Sequence, residues 1–484
     1  MKNDPKIGIN AKYIVAFDGR GHRILKDGVL IIEDDKILFV GSKYDGPVDQ
    51  WIDASDKIVS PGFVNTHTHI DSSPLSKSYI EDIGNPQFYM SSLFEELLPN
   101  LIYETEETVR TSTAISVIEL LRSGTTTAVV MGTGQPELVS DIMYQAGLHG
   151  YVVPSIRSGS WYTEDGKVPV FRKKKEEGFD LLEKAVQFSE QCEKKYEGKI
   201  KTMLGPTWTG NCTPEVLKET RKIASKTGLR IQIHASEALT EFHEMLRRHG
   251  KTPIQFLDSV GLLGEDLIIG HCIFISGHSW TSYPGQEDLS LLGRHKVSVA
   301  HCPWVFARRG VIMESFARYE NAGVNMSIGT DSCPQNMLLE MRYAAILSKI
   351  HERDPRATTA AHVFNGATLG GAKALGRDDL GRISPQARAD LLFFTLDSPR
   401  MRPLRDPIRN IVYYADPTDI TGVMIGGKMI MKDGEIQGID ASELSPKLQG
   451  CAEEIWKSIP ERDWAGRSVD DFSRHSYPSW EEKD

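Results

Sequence analysis

The chain has 484 residues, 40% hydrophobic and 25% charged, with a formal net charge of -10. An acidic balance of this kind excludes a basic surface for nucleic acid or anionic membrane, and no apolar run reaches the roughly 18 residues of a membrane span. A small-molecule partner is therefore expected. Cys192, Cys212, Cys272, Cys302, Cys333 and Cys451 stand singly with no C-x-x-C pair, and the start "MKNDPKIGIN" carries no apolar signal core. That usage points to the reduced cytoplasm.

The opening stretch "NAKYIVAFDGRGHRILKDGVLIIEDDKILFVG" alternates β-branched runs with Asp-Gly and Asp-Asp turns, the pattern of antiparallel hairpins. The style returns in "ADLLFFTLD" and "GVMIGGKMIMKDGEI". Both ends are expected to pair in one small β-sandwich, made of residues 1–62 and 389–441. Between them lie "IVSPGFVNTH", "TTTAVVM", "YVVPSI", "IKTMLG", "LRIQIHA", "LIIGHCI", "VSVAHCP" and "NMSIGTD". Helical periodicity separates most of these runs, as in "ETEETVRTSTAISVIELLRSG", "PEVLKETRKIASKTG" and "NMLLEMRYAAILSKIHERD". Strand and helix in alternation predict an α/β fold, a (β/α)8 TIM barrel over 63–388. Residues 442–484 read as a C-terminal helix and extension.

The polar residues of interest close the strand runs. His67 and His69 end the first, His234 the fifth, His271 the sixth, His301 the seventh and Asp331 the eighth. In a barrel this is the rim that carries the active site. Strand residues i and i+2 share a face, so His67 and His69 can converge on one ion. Imidazole nitrogens with one carboxylate form the ligand set of a catalytic divalent metal. His67, His69, His234 and Asp331 are the expected ligands of one ion, zinc first, with iron or cobalt sharing the donor set. The fourth strand ends in "MLGPTW", with Lys199 and Lys201 at its start. No lysine there could serve as the bridging carboxylate of a second ion.

The series "PGFVNTHTH", "HASE", "GHC", "HCP" and "GTDS" resembles the amidohydrolase superfamily, in its aminohydrolase and chlorohydrolase branch, from about residue 10 to 440. The resemblance implies Glu237 of "HASE" as a general acid/base beside the metal, whereas by position alone it is a first-turn carboxylate favoured by the helix dipole. It also implies His271 as a hydrogen-bonding partner of the reacting centre. Asp331, besides its place as ligand, or Glu237 would accept the proton of the metal-activated water. His301 either lines the pocket or orients Asp331. The implied reaction is displacement of an amino, alkylamino or halide group from an aromatic N-heterocycle by a metal-activated water, in a homo-oligomer. The alternatives are hydrolysis of ureas, carbamates or amides, and a non-catalytic barrel scaffold.

The sequence departs from its relatives at "GPTWTGNC" and "HCPWVFARRG". Thr207, Trp208, Trp304 and Phe306 stand where polar substrate contacts are usual, which disfavours a nucleoside and suggests a flat, apolar substrate. Arg308 and Arg309 read most simply as solvated charges, with a grip on an anionic substituent as the alternative. In the long loop after the first strand, Phe88, Tyr89 and Phe94 either cover the pocket or pack a short helix onto the barrel. Residues 157–178 read as a loop whose Lys and Glu run opens a helix, with Trp161 and Tyr162 near the rim. His149, His243, His249, His295, His351 and His362 read as structural or solvated.

Overall fold

The computed structural model describes residues 5–91, 105–436 and 441–480. The first apolar runs form β1 (Ile7–Phe17), β2 (His22–Glu33), β3 (Lys36–Gly41) and β4 (Gln50–Pro61). β1 pairs antiparallel with β2, and β2 with β3, as their turns predict. β4 returns parallel to β1.

The "IVSPGFVNTH" run is two strands, β4 and β5 (Phe63–Thr68). β5 begins a parallel layer with β6 (Thr125–Thr133) and β7 (His149–Ile156). An antiparallel hairpin follows, β8 (Gly159–Thr163) with β9 (Pro169–Lys173), where the sequence suggested only a loop. β10 (Ile200–Lys201) and β11 (Gly205–Pro206) both run along β7. Between them the Thr202 hydroxyl donates to the Val152 carbonyl at 2.7 Å and replaces a ladder bond. β12 (Ile231–Ala235), β13 (Leu267–His271), β14 (Ser298–His301) and β15 (Asn325–Ile328) make a second parallel arc. Bridges Leu204↔Ile231 and Trp208↔His234 join the arcs on one side, and Thr68↔Asp331 joins them on the other. All residues of β5, β12, β13 and β14 are buried, as expected for strands covered on both faces.

The C-terminal runs form β16 (Leu391–Thr395), β17 (Ile420–Ile425), β18 (Lys428–Lys432) and β19 (Glu435–Ile436). β16 pairs with β4, so both chain ends share one eight-stranded sheet, ordered β19-β18-β17-β16-β4-β1-β2-β3. Its faces alternate with the strand period. Ile14, Val59, Leu391 and Phe393 fill the sheet's own core, while Val15, Ile58, Leu392 and Phe394 join the large core of the parallel layer. That division attaches the sheet to the layer without touching the strand ends that matter below.

Candidate metal centre and active site

The extended backbone of β5 sends His67 and His69 to one side, and the parallel register brings His234 and Asp331 beside them. One ligand atom from each of the four residues lies within 4.8 Å of all the others. His69 Nε2 is 3.0 Å from His234 Nε2, and Asp331 Oδ1 is 3.4 Å from His67 Nε2 and 3.5 Å from His69 Nε2. His271 adds a fifth group, with Nε2 3.8 Å from the same carboxylate oxygen.

Close approach sets the glycines of this region. A Cβ at Gly270 would lie 3.0 Å from His67 Cε1, and one at Gly329 would lie 2.7 Å from the His67 carbonyl oxygen. The "GHC" and "GTD" glycines therefore make room for the His67 side chain and strand. His271 and Asp331 both adopt left-handed backbone, at φ 74° and 56°. Such conformations cost about 1–3 kcal/mol and persist where surrounding contacts impose them. Here the Tyr319 hydroxyl donates to the Cys272 carbonyl at 2.7 Å, and the Asp331 N–H donates to the His67 carbonyl at 2.9 Å.

Two amides that sequence reasoning missed hold the ligand-bearing backbone. Asn65 accepts from the N–H groups of His67 and Thr330 and donates to the Thr330 hydroxyl at 2.7 Å. Gln335 accepts from the Thr68 hydroxyl at 2.6 Å and donates to the His69 carbonyl at 3.4 Å. Their only signal was an amide at the end of an apolar run in "FVN" and a polar loop residue in "CPQN".

The residues fit a metal ion. His67 is fully buried, and neither of its ring nitrogens has a hydrogen-bond partner. A buried imidazole without a partner is costly unless another ligand satisfies it. His234 Nδ1 meets the Thr207 carbonyl oxygen, so Nδ1 carries the proton and Nε2 keeps its lone pair toward the cluster. Burial pushes His69 and His234 below the ordinary histidine range, so both offer neutral rings. Burial alone would raise Asp331, but His271, His67 and His69 hold it well below the usual carboxylate range.

Glu237 behaves in the opposite way. Burial, then the nearby charges of Asp331 and Glu241, raise its carboxyl well above the usual range, against the opposing pull of Arg309. The Glu237 N–H donates to Glu241 Oε2 at 2.8 Å, and Glu241 is itself pushed up to about 7 by burial. Burial lowers His271 to about 3, so it is neutral, and both of its ring nitrogens are without partners. His301 is also lowered to about 3 by burial.

The aromatic candidates separate. Phe306 lies edge-on to His271 with ring centroids 4.7 Å apart. Trp304 turns edge-on to Tyr343, at 4.9 Å. Trp208 and Phe88 are buried in one cluster with Trp161 and Ala238. Tyr89 is exposed beside His243, and Phe94 lies outside the described residues. Arg308 and Arg309 are not solvated, contrary to the simplest expectation, because distant acids and the folded loop enclose them. Arg308 pairs with Glu81 at 2.8 Å, and Arg309 is half-buried near Asp331 and Glu237.

A donor set of three imidazoles and one carboxylate, beside a carboxyl that keeps its proton, defines a class: a hydrolase that works with a divalent metal. The comparisons agree. A profile of the Amidohydrolase family matches residues 58–430. The 5'-deoxyadenosine deaminase of Methanopyrus kandleri is 30% identical over 446 residues, spanning 90% of this chain and 97% of that protein. The 5-methylthioadenosine/S-adenosylhomocysteine deaminase of Thermococcus kodakarensis is 33% identical, spanning 83% and 89%. An adenosine deaminase from Xanthomonas campestris, solved with bound zinc, superposes with a TM-score of 0.80 at 23% identity, over 93% of this chain and 98% of that one. The chain belongs to the Amidohydrolase family. It is a hydrolase of carbon–nitrogen bonds other than peptide bonds. All six cysteines are buried and free, and among the described residues no helix is long and apolar enough to cross a membrane.

Proposed function

We propose that the protein is a hydrolytic deaminase of an amino-substituted aromatic N-heterocycle, in particular of an adenine nucleoside of the kind its relatives deaminate. His67, His69, His234 and Asp331 would hold one divalent ion, with zinc supported by the zinc of the superposing adenosine deaminase. The observation that carries the reading is the convergence of four ligand atoms within 4.8 Å of one another, beside a Glu237 carboxyl raised by burial and by Asp331, which is itself held low. Two carboxyl groups driven apart in this way divide into an acid and a base.

Bound there, the ion would supply acidity, lowering the pKa of water toward about 7. Asp331 takes the proton as water oxygen bonds to the ring carbon, and Glu237 protonates the adjacent ring nitrogen. His271, neutral and free at both nitrogens, hydrogen-bonds the oxygen of the tetrahedral adduct. When the carbon–nitrogen bond breaks, the amine leaves with the proton held by Asp331. Glu237 recovers a proton from the new hydroxyl, and the product is the lactam. Phe306 provides an apolar edge for the ring, and His301 lines the same small cavity as Phe306.

Of the aromatic residues that argued against a nucleoside, Trp304 lies edge-on to Tyr343 and Trp208 packs with Phe88 and Trp161, which supports packing roles for both, while Phe306 stays beside His271. The bridges at both seams support closure of the parallel strands into a (β/α)8 barrel over residues 63–388, with 1–62 and 389–441 as the β domain. Six buried thiols support a reducing compartment. The test is ammonia release from 5'-deoxyadenosine in heavy-oxygen water. The reading requires one labelled oxygen at the ring carbon that lost the amine; an unlabelled product or a nucleoside that keeps its amine would overturn it.

A further inference from the structure

The C-terminal segment reaches the first strand's loop. Helix Leu444–Ser458 buries Cys451, Ala452 and Ile455 against Leu75. Trp456 meets Tyr79 edge-on at 6.4 Å, and Val469 and Phe472 pack on the same cluster of Tyr79 and Ile80. Tyr79 is 3% exposed and Ile80 2%, so the tail seals both side chains. Two residues beyond Tyr79, Glu81 accepts from Arg308 Nη1 at 2.8 Å, and the same nitrogen donates to the Cys333 carbonyl at 3.4 Å. One guanidinium thus joins three loops, those that follow His69, His301 and Asp331. Arg309 is the next residue.

We propose that residues 444–472 position the active site: Trp456 and Phe472 fix Tyr79 and Ile80, these keep Glu81 on Arg308, and Arg308 sets the substrate-facing rim. Residues 70–91 hold no strand or α-helix, only two short 3-10 turns, so their backbone has many conformations to lose. The tail removes that freedom before substrate arrives, so less binding energy is spent on ordering the rim. Trp456 and Glu81 are positioning residues. The inference rests on the deaminase reading only for its kinetic consequence.

The experiment uses the full chain with Trp456→Ala, Phe472→Ala, Trp456→Phe and Glu81→Gln, read by hydrogen exchange and by kinetics with 5'-deoxyadenosine. Trp456→Ala and Phe472→Ala should speed exchange over residues 73–82 and leave β12–β15 unchanged. KM should rise about tenfold with kcat nearly constant, the mark of lost binding and not lost chemistry. Trp456→Phe should restore both. Glu81→Gln should raise KM without the exchange change, and adding Trp456→Ala to it should raise KM little further. Faster exchange with unchanged KM would reduce the tail to a structural cover, and unchanged exchange would refute the contact chain altogether. If the wild-type chain turns over no nucleoside, the deaminase reading fails, while the exchange result still decides whether the tail holds the loop.

Discussion

Asp331 holds His67 twice: its backbone N–H donates to the His67 carbonyl oxygen at 2.9 Å, and its carboxylate lies 3.4 Å from His67 Nε2. One residue therefore ties the last strand end to the first and also supplies a charge to the imidazole there. The ligand geometry is built into the seam between β5 and the turn after β15, and that makes it sensitive to small changes in the seam.

Gly329→Ala tests the seam by steric means. The added Cβ would stand 2.7 Å from the His67 carbonyl oxygen, which is backbone and cannot rotate away. We expect a loss of about 1–3 kcal/mol in unfolding free energy, the usual cost of overpacking, together with weaker metal retention. Chemical denaturation and metal analysis of the same sample measure both.

Gln335→Ala removes the amide that bonds Thr68 and the His69 carbonyl without touching a ligand. Residues that orient metal ligands typically contribute about 10–100-fold in metal affinity. A competition titration with a chelator should show a loss in that range. Unchanged affinity would mean that the backbone alone places His69.

Glu237→Gln keeps the shape and removes the proton. Positioned acids contribute about 100–10,000-fold, so kcat should fall within that range while metal content stays at the wild-type level. A variant within a few fold of wild type would move the acid elsewhere.

Acid stability follows from two histidines remote from the metal. Burial first, then Arg382, lowers His22 to about 4; burial first, then Arg388, lowers His149 to about 3. Both folded values lie below the unfolded value of about 6.5, so on acidification the unfolded chain binds protons first. Their contribution is complete above pH ~6.5 and is lost as pH falls toward ~4 and then ~3, at up to about 1.4 kcal/mol per pH unit for each ring. His22→Gln should flatten the acid limb of a denaturation series between pH ~6 and ~4.

Much of the site was legible because strand chemistry is periodic. His67 and His69 share a face by the alternation of β5, and His234, His271 and Asp331 stand where parallel strands must end together. Asn65 and Gln335 were not legible, because an amide has no spacing signature and acts here across the β5–β15 seam. The β8–β9 hairpin was hidden by the Lys and Glu run beside it, although "SWYT" and "PVF" alternate. Arg308 was misjudged for a similar reason. Its enclosure depends on Glu81, which lies 227 positions away in sequence. Trp208 and Trp304 showed aromatic character, but their packing partners, Phe88 and Trp161 for the one and Tyr343 for the other, lie far off in sequence.

A mass-spectrometric product screen of the metal-loaded protein, with His67→Ala as control, decides which bond the enzyme breaks. Two compound sets are compared: adenine nucleosides with amino- and halo-substituted N-heterocycles, and aryl ureas, carbamates and amides. Deamination requires exchange of the ring amine for oxygen with release of ammonia, abolished in His67→Ala. Cleavage of a urea or amide into an amine and a carbonyl fragment, with the nucleosides untouched, would contradict it.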